Sequence, residues 1–172
     1  MARLFIAVWP PEEVVAELTY LHRKDQRGVR FVGPENWHIT LRFLGVADPT
    51  EVADAMTGAM SGALNGTSLA PAHARLGPAV DVIAERALVI PVAGLDSLAA
   101  TVTERTGKIG EPPPKSFRGH LTLARVKPHV AMPRALGALI SAEFEVDEVA
   151  LVHSRLHRDG ARYETIESWQ VG

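Results

Sequence analysis

A short pattern of histidine and threonine occurs twice in the chain. The tetrapeptide HITL, which begins at His38, returns 82 residues later as HLTL, which begins at His120. In each copy a threonine follows two residues after the histidine, at Thr40 and Thr122, and apolar residues fill the alternate positions. Imidazole exchanges protons near neutral pH and a hydroxyl donates hydrogen bonds, so both residue types can do chemistry.

The residues around both copies predict β-strands. Because side chains alternate across a strand, His38 and Thr40 share one face while Ile39 lies on the other, in the core. The same alternation places His120 and Thr122 together. Two equivalent strands lying side by side would form a cleft lined by two imidazoles and two hydroxyls.

Two imidazoles and two hydroxyls in one cleft predict acid–base chemistry on an anion. With ordinary pKa values near 6.5, one histidine can act as a neutral base while the other acts as a protonated acid. The threonine hydroxyls can donate to an anion held between the rings and stabilise charge that grows in the transition state. A phosphodiester is the natural anion for such a site. The chain has no cysteine and no evident serine-centred elbow, so we expect water or a substrate hydroxyl to attack.

The histidines have two other interpretations. A single histidine on a strand is more often a hydrogen-bonded structural residue, but duplication on a matching apolar framework favours catalysis. A metal site is the second alternative. Neither motif contains a second metal-ligating residue, and we therefore predict no metal and no cofactor.

Three arginines and a phenylalanine near the motifs have predicted positions. Arg118 lies two residues before His120 on the same face, and is the best candidate for a guanidinium contact to phosphate or base. Arg42 is predicted on the same face of the strand as His38, where its side chain would point into the cleft or into the solvent. Arg125 falls on the opposite face from His120 unless a bulge intervenes. Phe43 is predicted to pack in the core.

The elements that must position these residues mix strands and helices irregularly. Turn residues and apolar runs predict strands over 3–9, 29–32, 37–44, 68–76, 87–92, 118–126, 144–153 and 161–169. Helical spacing and end signals predict helices over 11–25, from Asp48 to Asn65-Gly66, from Leu95 to an end at Gly107 and Gly110, and over 133–142. The elements do not alternate strictly, so an α+β fold with largely antiparallel sheets is predicted rather than a doubly wound parallel one.

Composition predicts a single globular domain. With 172 residues, 47% of them hydrophobic, the chain can bury one substantial core. The absence of cysteine excludes a disulfide scaffold and a thiolate zinc site. No apolar run is long enough for a signal peptide or a membrane span, so we expect a cytoplasmic protein without a membrane partner.

The net charge of −2 is unevenly distributed. Between Glu111 and Glu143 there are five basic residues and no acidic residue, which leaves a net charge of −7 on the rest. Such a balance argues against binding of long nucleic acid by bulk electrostatics. The basic segment surrounds His120, where one terminal phosphate would need it.

Several longer stretches carry a resemblance. RLFIAVWPPEEV, PENWHITLRFLG, FRGHLTLARV and SRLHRDGARYE resemble the bacterial and archaeal 2′-5′ RNA ligase family, also described as RNA 2′,3′-cyclic phosphodiesterases, within the 2H phosphoesterase superfamily. The resemblance spans nearly the whole chain and is weakest over 60–95. It implies one domain over 1–172, a bilobal α+β fold whose two pseudo-symmetric, intertwined lobes have helices outside and a cleft between them. Gly119 departs from the proline that the family commonly has there.

The resemblance also implies a reaction. It is the metal-independent hydrolysis of a terminal RNA 2′,3′-cyclic phosphate to a 2′-phosphomonoester. By motif, His38 protonates the departing 3′ oxygen, His120 deprotonates water, and Thr40 and Thr122 hold the nonbridging oxygens. The family usually has a basic residue at the position of Arg125. In reverse, with an RNA 5′ hydroxyl in place of water, the same site would form a 2′-5′ linkage as a secondary activity.

Two further functions remain as alternatives. One is a related 2H activity on small cyclic nucleotides or ADP-ribose cyclic phosphate, which would use the same four residues. The other is a module that binds RNA ends and retains only residual activity. Intact histidine and threonine in both motifs argue against the binding module, because a binder needs no acid–base pair. We expect a monomer.

Overall fold

The computed structural model describes residues 1–61 and 69–172. Within these residues the chain forms ten strands and three α-helices, in the order β1 (Ala2–Val8), α1 (Glu12–Leu18), β2 (Val29–Phe31), β3 (Ile39–Ala47), α2 (Pro49–Ser61), β4 (His73–Leu76), β5 (Asp81–Ile83), β6 (Ala87–Ala93), α3 (Asp96–Thr106), β7 (His120–Val126), β8 (Ala142–Glu145), β9 (Glu148–His157) and β10 (Gly160–Gln170). No helix among them is long and apolar enough to cross a membrane.

The strands form one sheet with the order β10-β9-β1-β3-β7-β6-β4-β8. Two short strands pair beside this path, β2 with β7 and β5 with β6. All of these strand pairs are antiparallel. The predicted α+β class with an antiparallel sheet is therefore confirmed.

The two motif strands lie next to each other at the middle of the sheet. β3 and β7 share a single register pair, Ile39 with Leu121, and the sheet extends outward from each of them. On one side β3 pairs with β1, and on the other β7 pairs with β6. The last two strands return to the first side, where β9 pairs with β1. Each of these two halves of the sheet contributes one motif strand.

Strand β1 is covered on both faces, which explains its continuous apolar sequence. Leu4, Ile6 and Val8 belong to the main core. Phe5 and Ala7 point to the other face, where they pack with β9 residues in a smaller apolar cluster that Trp9 and Tyr163 border. This second cluster lies beside the motif strand β3, because β1 and β3 are paired.

Helices α2 and α3 pack together, and α3 also contacts β3. The predicted start of α2 is confirmed, because the Asp48 carboxylate accepts a hydrogen bond from the backbone N–H of Thr50 at 2.9 Å. The predicted stop at Asn65-Gly66 lies outside the described residues. Helix α3 buries Leu98 and Val102 against the core.

Four predicted elements differ from the structure. Helix α1 ends at Leu18, and the following Tyr20 is exposed, so the helix stops well before residue 25. The helix predicted over 133–142 is wrong: the segment turns, with Gly137 at φ +85°, and its leucines Leu136 and Leu139 are exposed rather than forming a buried stripe. The predicted strand 144–153 is two strands, β8 and β9. Of the strand predicted over 68–76, residue 68 lies outside the described residues, and the described part is a strand only at β4.

Candidate active site

His38 and His120 line one cleft of about 430 Å³ together with Thr40 and Thr122. His38 lies at the residue before β3, and His120 is the first residue of β7. The antiparallel pair between Ile39 and Leu121 brings the two motifs side by side with their polar residues on one face. The structure therefore brings together the four residues that the repeat singled out.

The two histidine rings are held in the same way. Nδ1 of His38 donates to the carbonyl of Asn36 at 2.8 Å, and Nδ1 of His120 donates to the carbonyl of Arg118 at 2.7 Å. Because a carbonyl oxygen can only accept, Nδ1 carries a proton in both rings. Nε2 is then the nitrogen that gains or loses a proton. In His38 this atom lies 3.0 Å from the Thr40 hydroxyl.

Three aromatic rings surround His38. Phe5 stacks on the imidazole with ring centroids 4.8 Å apart, and Tyr163 and Trp9 meet it edge-on at 5.2 Å and 5.7 Å. Burial in this setting lowers the pKa of His38 from its ordinary value of 6.5. The Asn36 carbonyl opposes this shift in pKa, and the neighbouring His120 adds to it. Without an anion in the cleft, the neutral form of His38 is favoured at neutral pH.

Each motif strand has a bulge directly after the threonine. In β3, Thr40 and Arg42 oppose consecutive residues of β1, so Leu41 is the extra residue. In β7, Thr122 and Ala124 oppose consecutive residues of β6, so Leu123 is the extra residue. The two bulges have the same spacing along the chain as the histidines. Each bulge reverses the alternation of the residues that follow it.

The bulges correct three predicted positions. Phe43 is 36% exposed and lines the cleft, so its predicted place in the core is wrong. Arg125 also lines the cleft, a position that was expected only if a bulge intervened between it and His120. Arg42, which was expected in the cleft or the solvent, is instead buried, 1% exposed. Its guanidinium donates to the carbonyls of Phe43 at 2.8 Å, Ile109 at 2.9 Å and Glu111 at 2.8 Å.

Arg118 is also in a different place from the one predicted. Its side chain is exposed and lies 3.9 Å from the carboxylate of Asp81, outside the residues that line the cleft. The loop before β7 turns the side chain away. The contribution of Arg118 to the site is its carbonyl, which anchors His120.

Sequence reasoning missed several residues of the cleft, among them Arg3, Phe5 and Tyr163. The Arg3 guanidinium lies 5.2 Å from the centre of the Phe43 ring. Burial raises the pKa of Tyr163, and the positive charges of Arg125 and Arg3 act in the opposite direction. All three lie in stretches that carried the family resemblance, but only the pairing of β1 with β3 and β9 shows which face they occupy.

The residues 1–61 and 69–172 contain no group of three or more histidine, aspartate or glutamate side chains arranged to hold a metal ion. The donors that face the cleft are hydroxyl, imidazole, phenol and guanidinium groups. Such a set suits a phosphate, because each of these groups can donate a hydrogen bond to an oxyanion.

A curled antiparallel sheet with paired His-x-Thr strands at its centre defines a phosphoesterase of the 2H type. The family model of the 2′-5′ RNA ligase superfamily matches residues 9–158, so the chain belongs to this family. The membership that the sequence resemblance predicted is confirmed.

A relative in Thermus thermophilus named RNA 2′,3′-cyclic phosphodiesterase is 33% identical over 98% of this chain and 90% of its own length. The crystal structure of TT0787, also from Thermus thermophilus, superposes with a TM-score of 0.80 and 29% identity, covering 98% of this chain and 97% of its own. E. coli LigT complexed with 3′-AMP has the same fold, with a TM-score of 0.77 and 23% identity over 99% and 98% of the two chains.

Proposed function

We propose that this chain hydrolyses RNA terminal 2′,3′-cyclic phosphates and leaves the phosphate on the 2′ oxygen. The observation that carries the proposal is the pair of histidines, each fixed through Nδ1 on a backbone carbonyl and each lining one cleft. Two identically held imidazoles suit a reaction that needs one acid and one base. The name of the Thermus thermophilus relative supports the same substrate.

In the proposed mechanism the cyclic phosphate lies between the two rings. Thr40, Thr122 and Arg125 donate hydrogen bonds to its nonbridging oxygens, where negative charge increases in the transition state. Nε2 of His120 takes a proton from water as the water oxygen forms its bond to phosphorus. The bond from phosphorus to the 3′ oxygen breaks, and Nε2 of His38 delivers a proton to that oxygen. The product is a 2′-phosphomonoester with a free 3′ hydroxyl.

The setting of His38 supports a role as an acid that becomes charged when substrate binds. Burial favours the neutral ring in the free protein. A bound phosphate places negative charge beside Nε2 and raises the pKa of His38, which favours the imidazolium. The proton is then held next to the leaving oxygen only while a substrate occupies the cleft. His120 lacks such an aromatic enclosure among the described contacts and is assigned as the base.

The same site would join two RNA ends when an RNA 5′ hydroxyl replaces water. That hydroxyl would attack phosphorus after losing its proton to His120, and the product would be a 2′-5′ linkage. Because water is in large excess over RNA ends, hydrolysis is the main activity in this proposal and ligation is secondary.

The test uses an oligoribonucleotide that ends in a 2′,3′-cyclic phosphate, incubated with the protein in the presence of a chelator. We expect a 2′-phosphate as the product. His38→Ala and His120→Ala should each lower kcat by about 10²–10⁴-fold while the folded structure persists. Release of a 3′-phosphate, loss of activity to the chelator, or full activity in either variant would contradict the mechanism.

A small cyclic nucleotide is the second candidate substrate. The cleft volume of about 430 Å³ is in the range that holds one nucleotide-sized ligand, so a terminal nucleotide alone could fill it. Comparing kcat/KM for nucleoside 2′,3′-cyclic phosphates, ADP-ribose cyclic phosphate and RNA ends ranks the candidates directly. A protein that binds RNA ends without turnover would support the third alternative, a binding module.

A further inference from the structure

Three arginines near the cleft have no acidic partner. Arg3 and Arg125 line the cleft, and Arg30 lies on β2 opposite Arg125 on β7. Among the described residues, no carboxylate comes within 4.0 Å of any of these three guanidinium groups, although such pairs form elsewhere, as between Arg155 and Glu164. Arg3 and Arg125 are accounted for by the cyclic phosphate and the Phe43 ring. Arg30 is not.

The register places Arg30 and Arg125 on the same face of the sheet. They are direct cross-strand partners, and side chains of such partners lie side by side. Like charges in this position destabilise a strand pair. An anion lying across both guanidinium groups would remove that penalty, so the pair has the character of a binding surface rather than of a structural contact.

The Arg30 guanidinium reaches the first residue of β10, in the β9–β10 hairpin. It lies against Gly160, where a Cβ atom would come within 2.7 Å of its terminal nitrogen. Gly160 lines a second depression, of about 490 Å³, which shares Asn36, Ala161 and Tyr163 with the catalytic cleft. Arg30 therefore contacts Gly160 at the edge of the second depression and pairs across the strands with Arg125 of the catalytic cleft, although it lines neither cavity.

We propose that Arg30 binds the phosphodiester immediately 5′ of the terminal nucleotide of an RNA substrate. This inference rests on the proposed function and narrows its substrate class to RNA ends of at least two nucleotides. The terminal nucleotide would fill the catalytic cleft, and the preceding one would enter the second depression. The carboxylates of Glu35 and Asp159 also line that depression. Arg162 is its one lining cation among the described residues, and Arg30 lies at its edge, against Gly160.

The experiment compares three substrates that differ by one charge or one nucleotide. They are a nucleoside 2′,3′-cyclic phosphate, a dinucleotide ending in the same cyclic phosphate, and that dinucleotide with a neutral methylphosphonate as its internal linkage. For the natural chain we expect kcat/KM to be about tenfold higher for the charged dinucleotide than for either of the others, mainly through KM.

Arg30→Ala should remove this preference and change nucleoside turnover by less than about twofold, and Arg30→Lys should restore part of it. Arg75→Ala is the matched control, because Arg75 is an exposed arginine on β4 that lines neither the catalytic cleft nor the second depression. It should keep the full preference.

Equal kcat/KM for the charged and neutral dinucleotides in the natural chain would overturn the inference, and so would an undiminished preference in Arg30→Ala. An equal loss on all three substrates would also overturn it, because Arg30 would then act through Arg125. If no substrate is hydrolysed, the proposed function fails separately. Calorimetric binding of the dinucleotide 2′-phosphate to the natural chain and to Arg30→Ala then still tests the phosphate contact, with about tenfold weaker binding expected for the variant.

Discussion

At the scale of single residues, the site depends on how two imidazoles are oriented. The hydrogen bond from each Nδ1 to a backbone carbonyl fixes both the ring and its tautomer without any side-chain partner. Because the anchor is backbone, the tautomer is a consequence of the loop before each strand. The enclosure of His38 by Phe5, Trp9 and Tyr163 is the residue-level difference between the two histidines.

The lowered pKa of His38 predicts its titration. In the free protein the imidazole should titrate below 6.5, because burial penalises the charged form. Adding a nucleoside 2′-phosphate should move the titration to higher pH, since the phosphate charge stabilises the imidazolium. The measurement is the pH dependence of the His38 ring signal by NMR, with His38→Gln used to assign it. A midpoint at or above 6.5 without ligand would contradict the prediction.

Arg125 should be required for binding and for turnover. Arg125→Ala removes a guanidinium from the cleft and is expected to lower kcat/KM by about 10- to 100-fold, because a charge-assisted hydrogen bond to phosphate is lost. Arg125→Lys should retain part of the activity. Arg134→Ala, which changes an exposed arginine outside the cleft, is the control. Steady-state kinetics on a dinucleotide substrate provide the comparison.

At the scale of elements, the bulges decide which side chains enter the cleft. Alternation along a regular strand correctly predicted the faces of His38, Thr40, His120 and Thr122, because these residues come before the bulges. It failed for Phe43, which comes after one. A single extra residue in a strand has no sequence signature here, since Leu41 and Leu123 are ordinary strand residues, and only the register against β1 and β6 reveals them.

The secondary structure was also predictable only in part from the sequence. Strands and helices with clear apolar periodicity and turn residues at their ends, such as β1, α3 and β10, were predicted near their observed bounds. Pro133 and the apolar residues after it suggested a helix, but Gly137 adopts a positive φ and the segment turns. The order of strands in the sheet depends on pairings between residues far apart in sequence, which alternation cannot supply.

Arg42 should stabilise the bulge of β3. Its guanidinium ties this strand to the carbonyls of Ile109 and Glu111, which lie after the end of α3. Arg42→Ala would leave these buried acceptors without a donor, and we expect a loss of about 3 kcal/mol in the free energy of unfolding. Chemical denaturation followed by circular dichroism measures it. Arg42→Lys should recover part of the loss, and an unchanged midpoint in the alanine variant would refute the role.

The pairing of β4 with β8 should depend on pH. His73 on β4 lies 3.1 Å from the Glu143 carboxylate and 2.6 Å from that of Glu145, both on β8, and these carboxylates raise its pKa above 6.5. The raised pKa means that the stabilising contribution is fully present below pH 6.5 and is lost as the pH rises through the folded-state pKa. Thermal unfolding of the natural chain and of His73→Gln should differ at about pH 6 and converge at higher pH. A constant difference across that range would contradict the assignment.

At the scale of the whole molecule, one chain supplies the complete site. Both histidines, both threonines and the arginines of the cleft come from its two halves, so we propose that it acts as a monomer. The basic segment identified from the sequence contains β7, and with it His120 and Arg125. Because the rest of the chain is acidic overall, we expect favourable contacts only with phosphates close to the reacting end.

This charge distribution predicts that the affinity for RNA depends little on the number of nucleotides beyond the two at the reacting end. KM should fall from a nucleoside cyclic phosphate to a dinucleotide. It should then change by less than about threefold up to a chain of about 15 nucleotides, because contacts to two phosphates account for the electrostatic contribution to the affinity. The logarithm of kcat/KM against that of salt concentration should have a slope of about −1.4 for the dinucleotide, at about −0.7 per single-strand phosphate contact. A slope that steepens steadily with length would show an extended nucleic-acid surface.

The residue that each bulge turns into the cleft differs between the halves, an aromatic ring at Phe43 and a cation at Arg125. A cyclic phosphate bridges two adjacent ribose oxygens, so it offers two nearly equivalent bonds to two nearly equivalent imidazoles. An unbiased site would cleave either bond and release a mixture of isomers. We expect the regiochemistry of the proposed reaction to depend on the differences between the two halves, which include the first cleft-facing residue after each bulge and the aromatic rings around His38.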